Sequence, residues 1–207
     1  LHMDGSDSGT TFTDSSWTST SSYLSGRHVI TANGDVTNTR AVRKVGDSSI
    51  KFDGTGDYLT IPNSSDWDMG TGSFTVECWV RFDAVGDVDT IIERDFATNQ
   101  RALYIAKQAD NTINAQTGSG TGSISSIDSS STVAADTWYH IAYVRDGTDF
   151  ELFIDGTSVG TDTDAATMFD SDEKLAIGMH LEGGTTSDPF KGYIDEIRIS
   201  NTARYTS

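Results

Sequence analysis

One cysteine, two prolines, few positive charges and no long apolar run bound this chain before any motif is read. A single cysteine, Cys78, cannot form an intrachain disulfide. That is the usual state of cytosolic proteins, but bacterial surface and virion proteins also manage without disulfides, so the compartment stays open. No stretch of 18 apolar residues occurs, so membrane insertion is not expected. No signal-peptide pattern is visible. Leu1-His2-Met3 reads as an expression-tag remnant, with the natural sequence expected from about Asp4 and extending beyond both ends.

Positive charge is scarce. Fourteen Lys and Arg face 31 Asp and Glu, a formal net charge of −17 over 207 residues. Such a surface repels phosphate backbones, which makes nucleic acid and anionic lipid poor partner candidates. Neutral glycans and divalent cations remain. Hydrophobic residues are only 35% of the chain, but nine Phe, seven Tyr and four Trp can fill a core, because each aromatic buries a large area.

Helical periodicity is almost absent, and short alternating runs punctuated by turn signals take its place. "SFTVECWVRFD" is the clearest strand. Phe74, Val76, Cys78, Val80 and Phe82 share one face, and Thr75, Glu77, Trp79 and Arg81 the other. Cys78 therefore reads as a small buried hydrophobe rather than a nucleophile. "SIKF" and "YLTI" flank the Gly-rich turn "DGTGD", while "WYHIAYVRD" and "FELFIDG" read as a hairpin across "GTD". Residues 118–132, "GSGTGSISSIDSSST", read as low-complexity, polar and exposed. The Ser/Thr-rich residues 4–22 read as irregular, anchored by Phe12 and Trp17. About a dozen strands without a dividing linker predict an all-β jelly-roll β-sandwich of two antiparallel sheets, one domain over residues 4–207.

Three segments in order carry a family resemblance: "FDGTGDYLTIPNSSDWDMGTGSFTVECWVRF", "DTWYHIAYVRDGTDFELFIDGTSVG" and "FKGYIDEIRISNTARYT". Together they resemble laminin-G-like domains of the concanavalin A-like lectin/glucanase superfamily over roughly residues 48–205. The ending "ARYT" is similar to copies in bacterial surface proteins and phage tail or structural proteins. The resemblance implies a jelly roll, often a Ca²⁺ site, and carbohydrate or protein binding without catalysis. It implies an extracellular, cell-surface or virion location. It also implies that other protein domains of a parent chain are possible partners.

An enzyme needs more. A glycosidase requires two carboxylates facing each other across a cleft. In "GYIDEIRIS", Asp195 and Glu196 are neighbours and point to opposite faces of a regular strand, and Tyr193 stands two before Asp195 where related glucanases have an acid. By the same parity Asp195 shares a face with Ile197 and Ile199, and Glu196 can pair with Arg198. In "DVDTIIE", Asp87, Asp89 and Glu93 share a face by parity, at a spacing too long for the glucanase motif. No Gly-x-Ser-x-Gly elbow, His-Glu-x-x-His or P-loop occurs, and His140 reads as structural. Non-catalytic carbohydrate binding is therefore the first expectation. A purely structural or protein-interaction domain of a phage tail or surface fibre is the second, and a glycoside hydrolase or polysaccharide lyase the third.

A structural Ca²⁺ would draw oxygens from separate segments, since no EF-hand loop is present. The resemblance brings the N-terminal segment beside the last strand, so Asp14 with Asp195 or Glu196 is one candidate ligand set; Asp53 and Asp57 are another. Turn hydrogen bonds for Asp53 and Asp57, and backbone-amide bonds for Asp195, are the alternatives. For a glycan, exposed aromatics that stack on sugar rings and polar groups that bind hydroxyls point to Trp67, Phe96, Tyr104, His180 and Asp188. Trp79 and Trp138 read as framework.

Overall fold

The computed structural model describes residues 5–14, 28–95 and 101–206. Sixteen strands follow in order: β1 (Thr31–Asn33), β2 (Thr37–Thr39), β3 (Ser49–Asp53), β4 (Tyr58–Ile61), β5 (Phe74–Phe82), β6 (Asp89–Asp95), β7 (Arg101–Lys107) and β8 (Thr112–Gly118). Then come β9 (Ser123–Thr132), β10 (Trp138–Asp146), β11 (Asp149–Ile154), β12 (Thr157–Thr163), β13 (Leu175–Ile177), β14 (His180–Glu182), β15 (Thr185–Ser187) and β16 (Lys191–Ser200). A single 3₁₀ turn, Ser65–Trp67, is the only helix among the described residues.

Two seven-stranded antiparallel sheets face each other as a jelly-roll sandwich. The first runs β1-β4-β13-β6-β7-β8-β9 and the second β12-β11-β10-β5-β16-β3-β2. Alternation along β5 sends Phe74, Val76, Cys78, Val80 and Phe82 inward, all buried. They meet Ile92, Ile105, Ala115 and Ile177 of the first sheet in one continuous core. Two aromatic groups fill it: Phe52 and Phe82 on Phe190, and Phe74, Tyr143 and Phe150 on one another. Cys78 is buried, and burial pushes its thiol up to about 12. It is packing material, as the alternation predicts.

The β10–β11 hairpin forms as expected, with Asp146 opposite Asp149. "DGTGD" does not make a hairpin: β3 lies in the second sheet and β4 in the first, so this turn carries the chain across the sandwich. Residues 118–132 are not an exposed low-complexity loop either. They supply the end of β8 and the ten-residue edge strand β9, with Ile124 and Ile127 buried in the core between serines. Phe12 is buried as expected, and Trp17 lies outside the described residues.

Two bulges break the parity argument. On β16, Asp195 pairs with Trp79 but Arg198 with Glu77, leaving Glu196 and Ile197 opposite one residue, and Glu196 takes a φ of 50°. Ile194 and Ile197 thus both face the core, while Asp195 lies on the outer face beside Trp79; it does not share a face with Ile197. Arg198 pairs with Glu77 at 3.5 Å rather than with Glu196. On β6, the extra residue Ile91 separates Thr90 from Ile92. Asp89 therefore turns inward to a buried ion pair with Lys107, 2.7 Å away, while Glu93 turns outward, so these acids do not share a face. Gly192 opens β16 with a φ of 142°. A Cβ there would stand 2.1 Å from the Arg81 carbonyl oxygen, so only glycine lets the strands close.

Both described ends fasten to the second sheet. Gly5 N donates to Ser48 Oγ at 2.9 Å, and Asn38 of β2 bonds the carbonyls of Gly9 and Thr11. At the other end, Ala203 and Tyr205 pack on Ala142, Val144 and Phe153, and Tyr205 Oη donates to Glu77 Oε2 at 2.5 Å.

Candidate functional site

The outer face of the first sheet carries a cluster of charged and aromatic groups. Register places Glu93 of β6, Tyr104 of β7 and Gln116 of β8 side by side across three strands, with Asp95 opposite Arg101 in the next row. The β14–β15 hairpin folds over this patch. It is held there by Glu93, whose Oε1 accepts Leu181 N at 2.5 Å and whose Oε2 bonds His180 Nδ1. His180 Nε2 lies 3.4 Å from Glu182 Oε2, and its ring meets Tyr104 edge-to-face at 5.9 Å. Arg101 joins the layers: Nε is 3.2 Å from Asp95 Oδ2, a terminal nitrogen donates to Gln116 Oε1 at 2.9 Å, and the guanidinium lies 4.3 Å from the Tyr104 ring centre.

Burial sets the electrostatics. The hydrogen bond to Glu93 raises the pKa of His180 above its usual 6.5 against the opposing effect of desolvation. Desolvation, reinforced by the Glu93 charge, raises that of Asp95 above the ordinary carboxylate value. Desolvation likewise raises the Tyr104 phenol. Beside this cluster opens a cleft of about 180 Å³, lined by Arg101, Gln116, Thr117, Gly118, Gly122, Ser123 and Glu182. Its walls offer a guanidinium, a carboxylate, an amide, hydroxyls and backbone, the groups that bind sugar hydroxyls.

Of the expected glycan contacts, Tyr104 and His180 are thus brought together, but both are buried and neither lines the cleft. Asp188 lies further along. Its carbonyl accepts Thr90 N at 3.0 Å and its carboxylate accepts Ser187 Oγ at 3.1 Å, so it shapes the turn into β16. Trp67 is elsewhere. It is 8% exposed and packs against His28 in a tilted arrangement with ring centres 4.3 Å apart, lining a separate pocket of about 200 Å³. It presents no open stacking face. Phe96 lies outside the described residues. Arg101, Gln116, Asp95 and Glu182 were not anticipated. Arg101, followed three residues later by Tyr104 in a strand, was the one visible hint.

The expected metal ligands separate. Asp14 Oδ2 accepts the His28 backbone amide at 3.0 Å and bonds its Nδ1 at 2.9 Å. Asp195 Oδ2 accepts Lys44 N and Val45 N, each at 3.0 Å, while its Oδ1 is buried without a hydrogen-bond partner. Neither they nor Glu196 join a group of three converging ligands among the described residues. Asp53 and Asp57 do converge, together with Asp35. Asp57 is buried and its oxygens accept Asp35 N at 2.7 Å and Asp53 N at 3.0 Å; Asp53 Oδ1 accepts Thr55 N at 2.6 Å. Turn bonds are thus present, and three carboxylates remain close enough for a cation.

A laminin-G family model, described as the concanavalin A-like lectin/glucanases superfamily, matches residues 53–206. The chain belongs to this family. Comparison with curated protein sequences finds no match. Among solved structures, the binding domain of Paraclostridial Mosquitocidal Protein 1 is similar with a TM-score of 0.69 and 16% identity, over 87% of this chain and 46% of that one. Domain 4 of AbnA, a GH43 extracellular arabinanase from Geobacillus stearothermophilus, in complex with arabinotriose, gives 0.61 and 20%, over 86% and 84%. The Ruminococcus gnavus IT-sialidase CBM40 bound to α2,3-sialyllactose gives 0.55 and 16%, over 65% and 79%. The chain thus spans less than half the length of the toxin binding domain, and likeness at these identities establishes the fold.

Proposed function

We propose that this chain is a non-catalytic carbohydrate-binding module of a larger extracellular or virion protein. The observation that carries the reading is the cleft lined by Arg101, Gln116, Ser123 and Glu182, with Arg101 held over the Tyr104 ring. Arg101 is already paired with Asp95 and Glu182 adds a carboxylate to the wall, so the cleft has no spare positive charge for an anionic sugar, which suits a neutral glycan. The strongly acidic chain argues the same way. Related folds solved with arabinotriose or sialyllactose bound support the class but not the sugar. Against catalysis, Glu93 and Asp95 are both buried and tied to His180 and Arg101.

A glycan array followed by calorimetry tests this. Binding that falls at least tenfold in Arg101→Ala and Gln116→Ala supports the cleft, since each lost hydrogen bond to a ligand is worth about 1–1.5 kcal/mol. Silence across neutral polysaccharides would sink it. A protein-interaction role is the second reading. It is favoured by the outer face of the second sheet, where Trp79, Trp138 and Tyr193 line up partly exposed. Array silence with capture of a parent-chain domain on that face would select it.

A further inference from the structure

We infer that Glu93, Asp95 and His180 form a binding site for a divalent transition cation of the Zn²⁺ or Mn²⁺ type, beneath the Arg101 cleft. One donor atom from each of the three lies within 4.8 Å of the others, and all three residues are buried. They come from two elements, β6 and β14, that pack directly on one another through the Glu93 bond to Leu181 N.

The second observation is an oxygen with nothing to do. Asp95 is 3% exposed; Oδ2 faces Arg101, but Oδ1 is buried and has no hydrogen-bond partner. A buried carboxylate oxygen left bare costs free energy that a cation would recover. Charge points the same way. Arg101 pairs with Asp95 and Glu93 brings a second carboxylate to the same place, so two acids with a neutral imidazole make an anionic donor set that suits a cation. Protonating His180 leaves Asp95 Oδ1 bare.

Donor chemistry selects the ion. One imidazole nitrogen with two carboxylates suits Zn²⁺ or Mn²⁺, whereas Ca²⁺ takes six to eight oxygens and disfavours imidazole. The ion takes the place of the proton in the His180–Glu93 hydrogen bond, that proton is released to solvent, and the set contracts around the ion. Glu182, beside Nε2 on the other side of the ring, is placed to hold the imidazole from outside. Held this way, the ion would staple the β14–β15 hairpin to the sheet and fix the Glu182 wall of the cleft.

Titration calorimetry of the EDTA-treated, buffer-exchanged full chain with ZnCl₂, MnCl₂ and CaCl₂ tests the site in the absence of any glycan. The expected result is one saturable site for Zn²⁺ or Mn²⁺, weakened about tenfold or more in Asp95→Asn and His180→Gln and unchanged in Asp53→Asn. Asp95→Asn keeps the side-chain shape and an acceptor for Arg101, so it remains informative if His180→Gln fails to fold. Co²⁺ absorption in the visible range reports imidazole–carboxylate ligation in the parent and its loss in Asp95→Asn. No saturable binding below about 1 mM, unchanged binding in both variants, or equal affinity for Ca²⁺ at this site would each overturn the inference.

Discussion

Glu77 Oε2 lies 3.1 Å from His140 Nε2 on the outer face of the second sheet. The same carboxylate accepts from Tyr205 Oη and faces Arg198 and Arg204 at 3.5 and 2.9 Å. One acid thus ties β5, β10, β16 and the C-terminal segment together.

Burial pushes the pKa of Glu77 up, but the bonds from His140 and Tyr205 and the charges of Arg198 and Arg204 outweigh it and hold it at about 2, against an ordinary 4.5. The folded pKa is depressed, so the ionised form stabilises the fold. That contribution is whole above pH 4.5 and is lost as pH falls toward 2. Its size is on the order of 2–3 kcal/mol. Urea unfolding of parent and Glu77→Gln at pH 7, 4 and 3 should show a gap that shrinks with acid. A gap independent of pH would refute the assignment.

Asp195 behaves in the opposite sense. Burial raises its pKa, with the Lys44 and Val45 amides pulling it back only in part. Its charged form is therefore disfavoured in the fold at neutral pH. Asn keeps an acceptor for both amides and removes the charge, so Asp195→Asn should lie within about 1 kcal/mol of the parent or above it at pH 7. Asp195→Ala strands two backbone donors and should cost about 2–4 kcal/mol. Equal losses in both variants would show that the charge itself is required.

Calcium, expected from the family, is best placed at Asp35, Asp53 and Asp57, and we propose it there. Millimolar CaCl₂ after EDTA treatment should raise the melting temperature of the parent and leave that of Asp53→Asn unchanged. An equal response in both proteins, or none in either, rules this place out.

The sandwich was legible because its core strands alternate without interruption: Phe74 to Phe82 states both faces of β5 in nine residues. Strand β9 was hidden, since serine is common to loops and to solvent-facing strand positions and only Ile124 and Ile127 mark its inner side. Parity failed at Asp195 and at Asp89 for one reason. A bulge adds a residue that no composition signal announces, and every side chain beyond it changes face. The candidate site joins Glu93 to His180 across 87 positions, so its pairing is a property of the fold. Tyr104 and His180 could be named singly as polar or aromatic groups, but their common partners Arg101 and Asp95 could not.

Both described ends are pinned to the second sheet, Gly5 through Ser48 and Tyr205 through Glu77, whereas the cleft opens on the outer face of the first. The domain therefore has a back and a front. Tethered by either end to a bead, a sensor chip or a neighbouring domain, it would turn its cleft toward solution, which makes terminal fusions the natural format for displaying it in multivalent arrays.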